Sequence, residues 1–202
     1  MNILCFGDSN TYGISPVDGK RLPAHERWPG ILAELLGSEH LVIEAGQPNR
    51  TLVNNPPFSG DKSGLKYLKP YLEAYQLDII IIQLGTNDLK ARFELTAKQI
   101  ADGLDKLLLE IACFYGSNNT RPKIVILSPT KVFAVGQYQT IYKGVEKKAQ
   151  LLITYYAGVA QHQLCEFIDC YPLIEPCAKE GIHFHPCAHQ KLASKVKKLL
   201  AI

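Results

Sequence analysis

The sequence predicts an α/β fold: a parallel sheet with helices on both faces. Three observations lead there. Short apolar runs alternate with stretches of helical spacing, in repeated βα order. The connections between them are mostly short. The run Ile79-Ile80-Ile81-Ile82 is apolar on both sides, as a central parallel strand is. The chain has 202 residues, 47% hydrophobic and 20% charged, which suits one domain over residues 1–202. At this length about 70% of the unfolded surface becomes buried on folding, so no covalent staple is required.

Taken in order, residues 2–6 read as strand one. Residues 28–36 read as a helix, with Pro29 in its first turn and Gly37 as a stop. Residues 41–45 form strand two. Residues 64–75 carry Leu65, Leu68 and Leu72 at helical spacing, while Pro70 argues against a long regular helix. Residues 78–84 are strand three. Residues 96–115 are a helix that Thr96 caps. Residues 123–127 are strand four, ended by Ser128-Pro129. A long helix over 140–160, strand five over 164–168 and a closing helix over 188–200 complete the pattern. Two irregular stretches remain. The longer, 47–63, holds Pro48, Pro56, Pro57 and Gly60, and loops of that length in a compact domain are usually functional. The other, 129–139, is placed to form a second wall of the same cleft.

The charge balance excludes some partners. The net charge is +3, from 22 basic and 19 acidic residues. Basic residues do not interleave with aromatics, so nucleic acid is not expected. Lys143, Lys147 and Lys148, like Lys191, Lys195, Lys197 and Lys198, fall at spacings that solvate helix faces. No apolar run is long enough to insert into a membrane. The chain reaches position 9 too soon for an export leader, so a cytoplasmic protein with reduced thiols is expected. Cys165, Cys170, Cys177 and Cys187 lie near His183, His185 and His189, but the spacing is not that of a structural zinc site. No metal site is expected from these residues.

Four short pieces carry the chemistry. Strand one ends on Gly7-Asp8-Ser9, which puts a hydroxyl at the carboxyl edge of the sheet, where open α/β sheets hold their reactive groups. A serine hydroxyl is a weak nucleophile until a base stands beside it. Gly46 follows strand two and offers a backbone amide close to a ligand. Asn87 follows strand three in Gly85-Thr86-Asn87-Asp88, and its side-chain amide suits a developing oxyanion. His183 is the base, and Glu180, three residues earlier, orients its ring. His189 opens a helical pattern and reads as a cap or packing residue. His185 precedes Pro186 and reads as solvated. Arg50 and Thr51 read as holding the shape of their loop. The four pieces together point to a serine ester hydrolase.

In order and spacing, Gly7-Asp8-Ser9-Asn10, Gly46, Gly85-Thr86-Asn87-Asp88 and Gly181-Ile182-His183 resemble the GDSL-like SGNH hydrolases over nearly the whole chain. Asn10-Thr11-Tyr12-Gly13, Arg27-Trp28, Arg50-Thr51 and the extension through Leu89-Lys90 resemble the arylesterase and acyltransferase branch. The resemblance implies a flavodoxin-like three-layer α/β/α sandwich with a five-stranded parallel sheet. It implies a serine acyl-enzyme on a small-molecule ester, with no cofactor. Ser9 would be the nucleophile, and its amide would join the Gly46 amide and the Asn87 side chain in the oxyanion hole. Asp8, Tyr12 and residues of the 47–63 loop would contribute to the substrate pocket, and that loop would lie at subunit contacts of a homo-oligomer. Two features depart from the family pattern. Glu180 stands where Asp is usual, and Pro48-Asn49 follow Gly46 where other residues are usual; Asp169, at the end of strand five, is a second acid in reserve. An acyl-thioesterase, a carbohydrate O-acetylesterase and a non-catalytic ester- or sugar-binding member share the same pattern.

Overall fold

The computed structural model describes residues 1–53, 63–116 and 121–202. Five strands form one sheet: β1 (Asn2–Gly7), β2 (Leu41–Gly46), β3 (Ile79–Gln83), β4 (Lys123–Leu127) and β5 (Glu166–Ile168). Their spatial order is β2-β1-β3-β4-β5, and every neighbouring pair is parallel. The chain leaves β1 toward β2 on one side and crosses back to β3 on the other. That reversal opens a crevice at the carboxyl ends of β1, β2 and β3, where open α/β sheets bind ligands.

Among the described residues, six α-helices surround the sheet: α1 (Ser9–Tyr12), α2 (Trp28–Leu36), α3 (Gly64–Ala74), α4 (Ala97–Tyr115), α5 (Val145–His162) and α6 (Pro186–Leu200). Strand alternation divides the apolar residues between two cores. Leu4, Phe6, Ile80, Ile82, Ile124 and Ile126 pack with α3, α4 and α5. Ile3, Cys5, Ile79, Ile81, Val125 and Leu127 pack with α2 and α6. The four isoleucines of β3 are therefore all buried, two on each face. This is the parallel sheet covered on both faces that the βα pattern predicts, and the three-layer sandwich that the resemblance implies.

Local chemistry explains where the elements begin and end. Thr96 caps α4 in a capping box: its hydroxyl accepts from the Gln99 amide at 3.2 Å, and Gln99 Oε1 accepts from the Thr96 amide at 2.9 Å. Several expected bounds shift. The helix expected from 140 begins at Val145, because Gly144 is left-handed (φ 72°) and cannot continue a helix. Strand β5 is confined to Glu166–Ile168, since Leu164 is itself left-handed (φ 54°). The closing helix starts earlier than expected, at Pro186, whose missing N–H costs nothing in a first turn. Helix α3 runs regularly through Pro70, which the sequence reading set against a long regular helix. Pro70 is on the exposed face, while Leu68 and Leu72 are buried against the core and hold the turn together. Here tertiary packing outweighs a local penalty of about 3 kcal/mol.

A buried polar side chain at the end of β3 ties the helices to the sheet. Gln83, at the end of β3, is 4% exposed. Its Oε1 accepts from the Thr11 hydroxyl at 2.8 Å and from Trp28 Nε1 at 2.9 Å, and its backbone carbonyl accepts from the Asp8 amide at 3.3 Å. A single amide thus anchors α1 and α2 to the central strand. Substituting Gln83→Leu would leave two buried donors without an acceptor, at about 1–3 kcal/mol each. Urea unfolding of this variant is expected to show a loss of at least about 2 kcal/mol; a loss under about 0.5 kcal/mol would show that the anchor is dispensable.

Candidate active site

Ser9 begins α1 directly after β1. Asp8 caps that short helix: its Oδ1 accepts from the Asn10 amide at 3.0 Å. The cap fixes the serine at the strand-to-helix turn, where it is 8% exposed. On the far side, residues 177–183 form a tight loop between β5 and α6. The amides of Glu180 and Gly181 donate to the Cys177 carbonyl (3.2 and 2.6 Å), and the Cys177 amide donates to the His183 carbonyl at 2.8 Å. Gly181 has φ +90°, and a Cβ there would stand 2.2 Å from the Phe133 carbonyl oxygen, so only glycine allows this approach. The Phe133 amide in turn donates to the Gly181 carbonyl at 3.0 Å. Asn10 Nδ2 bridges the two sides by donating to the Ile182 carbonyl at 3.2 Å.

These constraints bring Ser9, His183 and Glu180 into one line. His183 Nε2 is 2.9 Å from Ser9 Oγ. Its Nδ1 makes a close contact with Glu180 Oε1. Glu180 Oε2 accepts from the backbone amides of Ile182 (3.1 Å) and His183 (2.7 Å). Burial alone would raise the Glu180 carboxyl, but the hydrogen bonds from the His183 ring and from both backbone amides outweigh it and hold the group below the usual carboxylate range. An ionised Glu180 keeps the ring proton on Nδ1, which leaves Nε2 free to accept from the serine hydroxyl. The extra methylene of Glu over Asp is absorbed by the tight loop, which folds the carboxylate back onto its own backbone amides. Asp169 is engaged elsewhere, with the Tyr171 amide (3.0 Å) and the Ser128 hydroxyl (3.4 Å).

The two remaining pieces flank the serine. Gly46 ends β2 beside Gly7. A Cβ on it would stand 2.2 Å from the Tyr12 backbone nitrogen, so the absent side chain lets β2 approach α1. Asn87 opens a 3₁₀ turn after β3, and its Nδ2 donates to the Arg50 carbonyl at 3.0 Å. Its second N–H is taken by no described residue. Arg50 fastens the strand ends: it donates to the carbonyls of Gly7 (2.9 Å) and Ala45, and lies over the Phe6 ring at 4.2 Å. This agrees with its reading as a loop-holding residue.

A cavity of about 230 Å³ opens over Ser9, lined by Asn49, Asn87, Lys90, Tyr138, Tyr142 and His183 among others. Asp8 and Tyr12, expected in the pocket, are not among its lining residues. Asp8 is turned inward as a helix cap, and burial pushes its carboxyl up to about 6. Tyr12 is half-buried under Arg21, whose guanidinium lies 4.4 Å from its ring. Of the 47–63 loop, Pro48 and Asn49 line the cavity; residues 54–62, including Pro56, Pro57 and Gly60, lie outside the described residues. Tyr138 brings in the 129–139 stretch, packing edge-on to the His183 ring at 6.0 Å. His185 is exposed. His189 is fully buried: its Nδ1 accepts from the Trp28 amide at 3.3 Å, and burial lowers its pKa to about 3. Sequence reasoning reached Asn49 and Tyr138 only through their loops, 47–63 and 129–139, and missed Lys90 and Tyr142 as cavity residues. Only Lys90 carried a signal, as the end of the run after β3.

A parallel sheet that gathers a serine, a histidine and a carboxylate over its edge defines a serine ester hydrolase of the SGNH fold. The chain belongs to the GDSL-like lipase/acylhydrolase family, whose model matches residues 5–191. Solved structures at 30% identity or more share this fold, and two of them illustrate it. One is Est24, a carbohydrate acetylesterase from Sinorhizobium meliloti, with 30% identity, a TM-score of 0.91, and 99% of this chain and 98% of that one covered. The other is the aryl esterase of M. smegmatis, with 34% identity, a TM-score of 0.91, and again 99% and 98% coverage. A putative arylesterase from Agrobacterium tumefaciens has the same fold at 24% identity and a TM-score of 0.88, covering 99% of this chain and 98% of that one. No curated protein sequence matches the chain. Among the described residues, no helix is long and apolar enough to cross a membrane.

Asp88 lies beneath the cavity, fully buried, with both carboxylate oxygens 3.2 Å from the Leu52 amide. Burial raises its pKa to about 7, against the Leu52 hydrogen bonds and with a smaller push from Asp8. A carboxyl raised in the folded state stabilises fully below its unfolded value of about 4, and that stability is lost as pH rises through the folded value. Urea unfolding from pH 4 to pH 8 is expected to show wild type losing stability relative to Asp88→Asn. A difference that stays constant across that range would contradict this assignment.

Proposed function

We propose that the protein hydrolyses short acyl esters through an acyl-enzyme on Ser9. His183 takes the Ser9 proton as the hydroxyl attacks the ester carbonyl. The oxyanion is held by the amides of Ser9 and Gly46 and by the Asn87 side chain. His183 then protonates the leaving alcohol, and a water activated by the same ring releases the acid. Glu180 holds the ring in the productive tautomer and stabilises the imidazolium. The 2.9 Å contact between His183 Nε2 and Ser9 Oγ carries this reading.

Two observations support a short acyl group. The cavity, at about 230 Å³, lies below the roughly 300–1,000 Å³ of drug-sized pockets. One relative acts on carbohydrate acetyl groups and another on aryl esters, by their names. A thioester would follow the same path, with a thiol as leaving group, and a second alcohol could replace water as acceptor. The reading extends to a homo-oligomer in the cytoplasm. Exposed Leu109, Phe114 and Leu151 support subunit contacts, and six unbridged cysteines support a reducing compartment.

Hydrolysis of a 4-nitrophenyl ester series tests the roles. Turnover is expected to be greatest for acetate to butyrate and to fall with longer chains. Ser9→Ala and His183→Ala are expected to lose nearly all turnover. Glu180→Gln would present the wrong tautomer and lower kcat by about a thousand- to ten-thousandfold. Unchanged kcat in Glu180→Gln would remove Glu180 from the mechanism, and full activity in Ser9→Ala would remove the acyl-enzyme.

A further inference from the structure

Lys90 is the cavity's least expected wall. It follows the 3₁₀ turn that begins with Asn87, is 6% exposed, and lines the same cavity as Ser9, Asn87 and His183. Its Nζ donates to Asn49 Oδ1 at 2.8 Å, a neutral partner that satisfies one of three N–H donors. Among the described residues, no carboxylate lies within ion-pair distance of it. The cavity lining contains this lysine and no Asp or Glu. A buried ammonium is costly unless paired, and the open space in front of this one is the space a substrate must fill.

Resting on the ester-hydrolase reading, we propose that Lys90 is a specificity residue that pairs with a carboxylate carried by the substrate, making a half-ester of a dicarboxylic acid or an ester of a carboxylate-bearing alcohol the preferred class. A charged hydrogen bond in such a site contributes roughly 1.5–3 kcal/mol, which corresponds to about a tenfold or greater preference over a neutral ester of equal size. The electrostatic setting agrees. Burial, helped by Arg92 and opposed by Asp8 and Asp88, lowers Lys90 to about 8. Both of those aspartates are themselves raised, to about 6 and about 7, so near neutral pH they offset the ammonium only in part. The lysine is charged below about pH 8, and the preference must fade above it.

Two matched pairs test the proposal and distinguish where the carboxylate sits: 4-acetoxybenzoate against methyl 4-acetoxybenzoate for the alcohol side, and monoethyl glutarate against ethyl valerate for the acyl side. At pH 6.5 the ratio of kcat/KM, anionic over neutral, is expected to exceed about ten in at least one pair. That ratio is expected to fall to about one in Lys90→Met, to stay above one in Lys90→Arg, and to drop in wild type between pH 6.5 and pH 9. Because each ratio is internal to one protein, a partial loss of folded enzyme does not move it. Calorimetric binding of 4-acetoxybenzoate and of monoethyl glutarate to Ser9→Ala, with and without Lys90→Met, gives a readout without turnover. At least one of them is expected to bind about tenfold more weakly when Lys90 is replaced. Ratios at or below one in both pairs, or both ligands bound equally with and without Lys90, would overturn the proposal. Loss of ester turnover with lysine-dependent binding intact would instead count against the acyl-enzyme reading alone.

Discussion

Every strand of a parallel sheet delivers its carboxyl end to the same edge, and this constraint makes the site. Residues 9 and 183 are separated by nearly the whole chain, yet their side chains stand 2.9 Å apart. β1 carries the serine to the edge, and the segment after β5 returns the histidine to it. Holding that meeting point requires a rigid floor. The two apolar cores clamp the sheet from both faces, and Gln83 anchors the turn below the serine.

The carboxylate behind the imidazole illustrates how local backbone geometry can replace a fixed side-chain length. Glu180 reaches its histidine because the 177–183 loop curls tightly, with Gly181 in a conformation that side chains avoid and pressed against Phe133. The carboxylate then accepts from two amides of its own loop as well as from the ring. Three hydrogen bonds on one buried carboxylate favour its ionised form, which a histidine acting as base requires behind it.

Much of this was legible in the sequence because it depends on local pattern. The isoleucine run of β3, the Thr96 cap and the glycines at strand ends each declare themselves within a few residues. The separation of Ser9 from His183 is bridged by the same logic, since βα alternation determines which edge each strand reaches. What stayed hidden depends on distant packing. Pro70 looks like a break until Leu68 and Leu72 are seen buried on the opposite face of α3. The resemblance puts Asp8 and Tyr12 at the pocket, but the four-residue helix α1 makes one its cap and leaves the other beneath Arg21. Lys90 became a cavity wall only through the meeting of two loops, one after β2 and one after β3. No periodicity reports such a meeting.

The most direct test of the central claim is covalent titration with a fluorophosphonate, read by intact mass and peptide mapping. The account predicts one adduct per chain, on the peptide that contains Ser9, formed rapidly in wild type and far more slowly when His183 is replaced by alanine. An adduct on a different residue, or labelling of Ser9 at the same rate without His183, would contradict it.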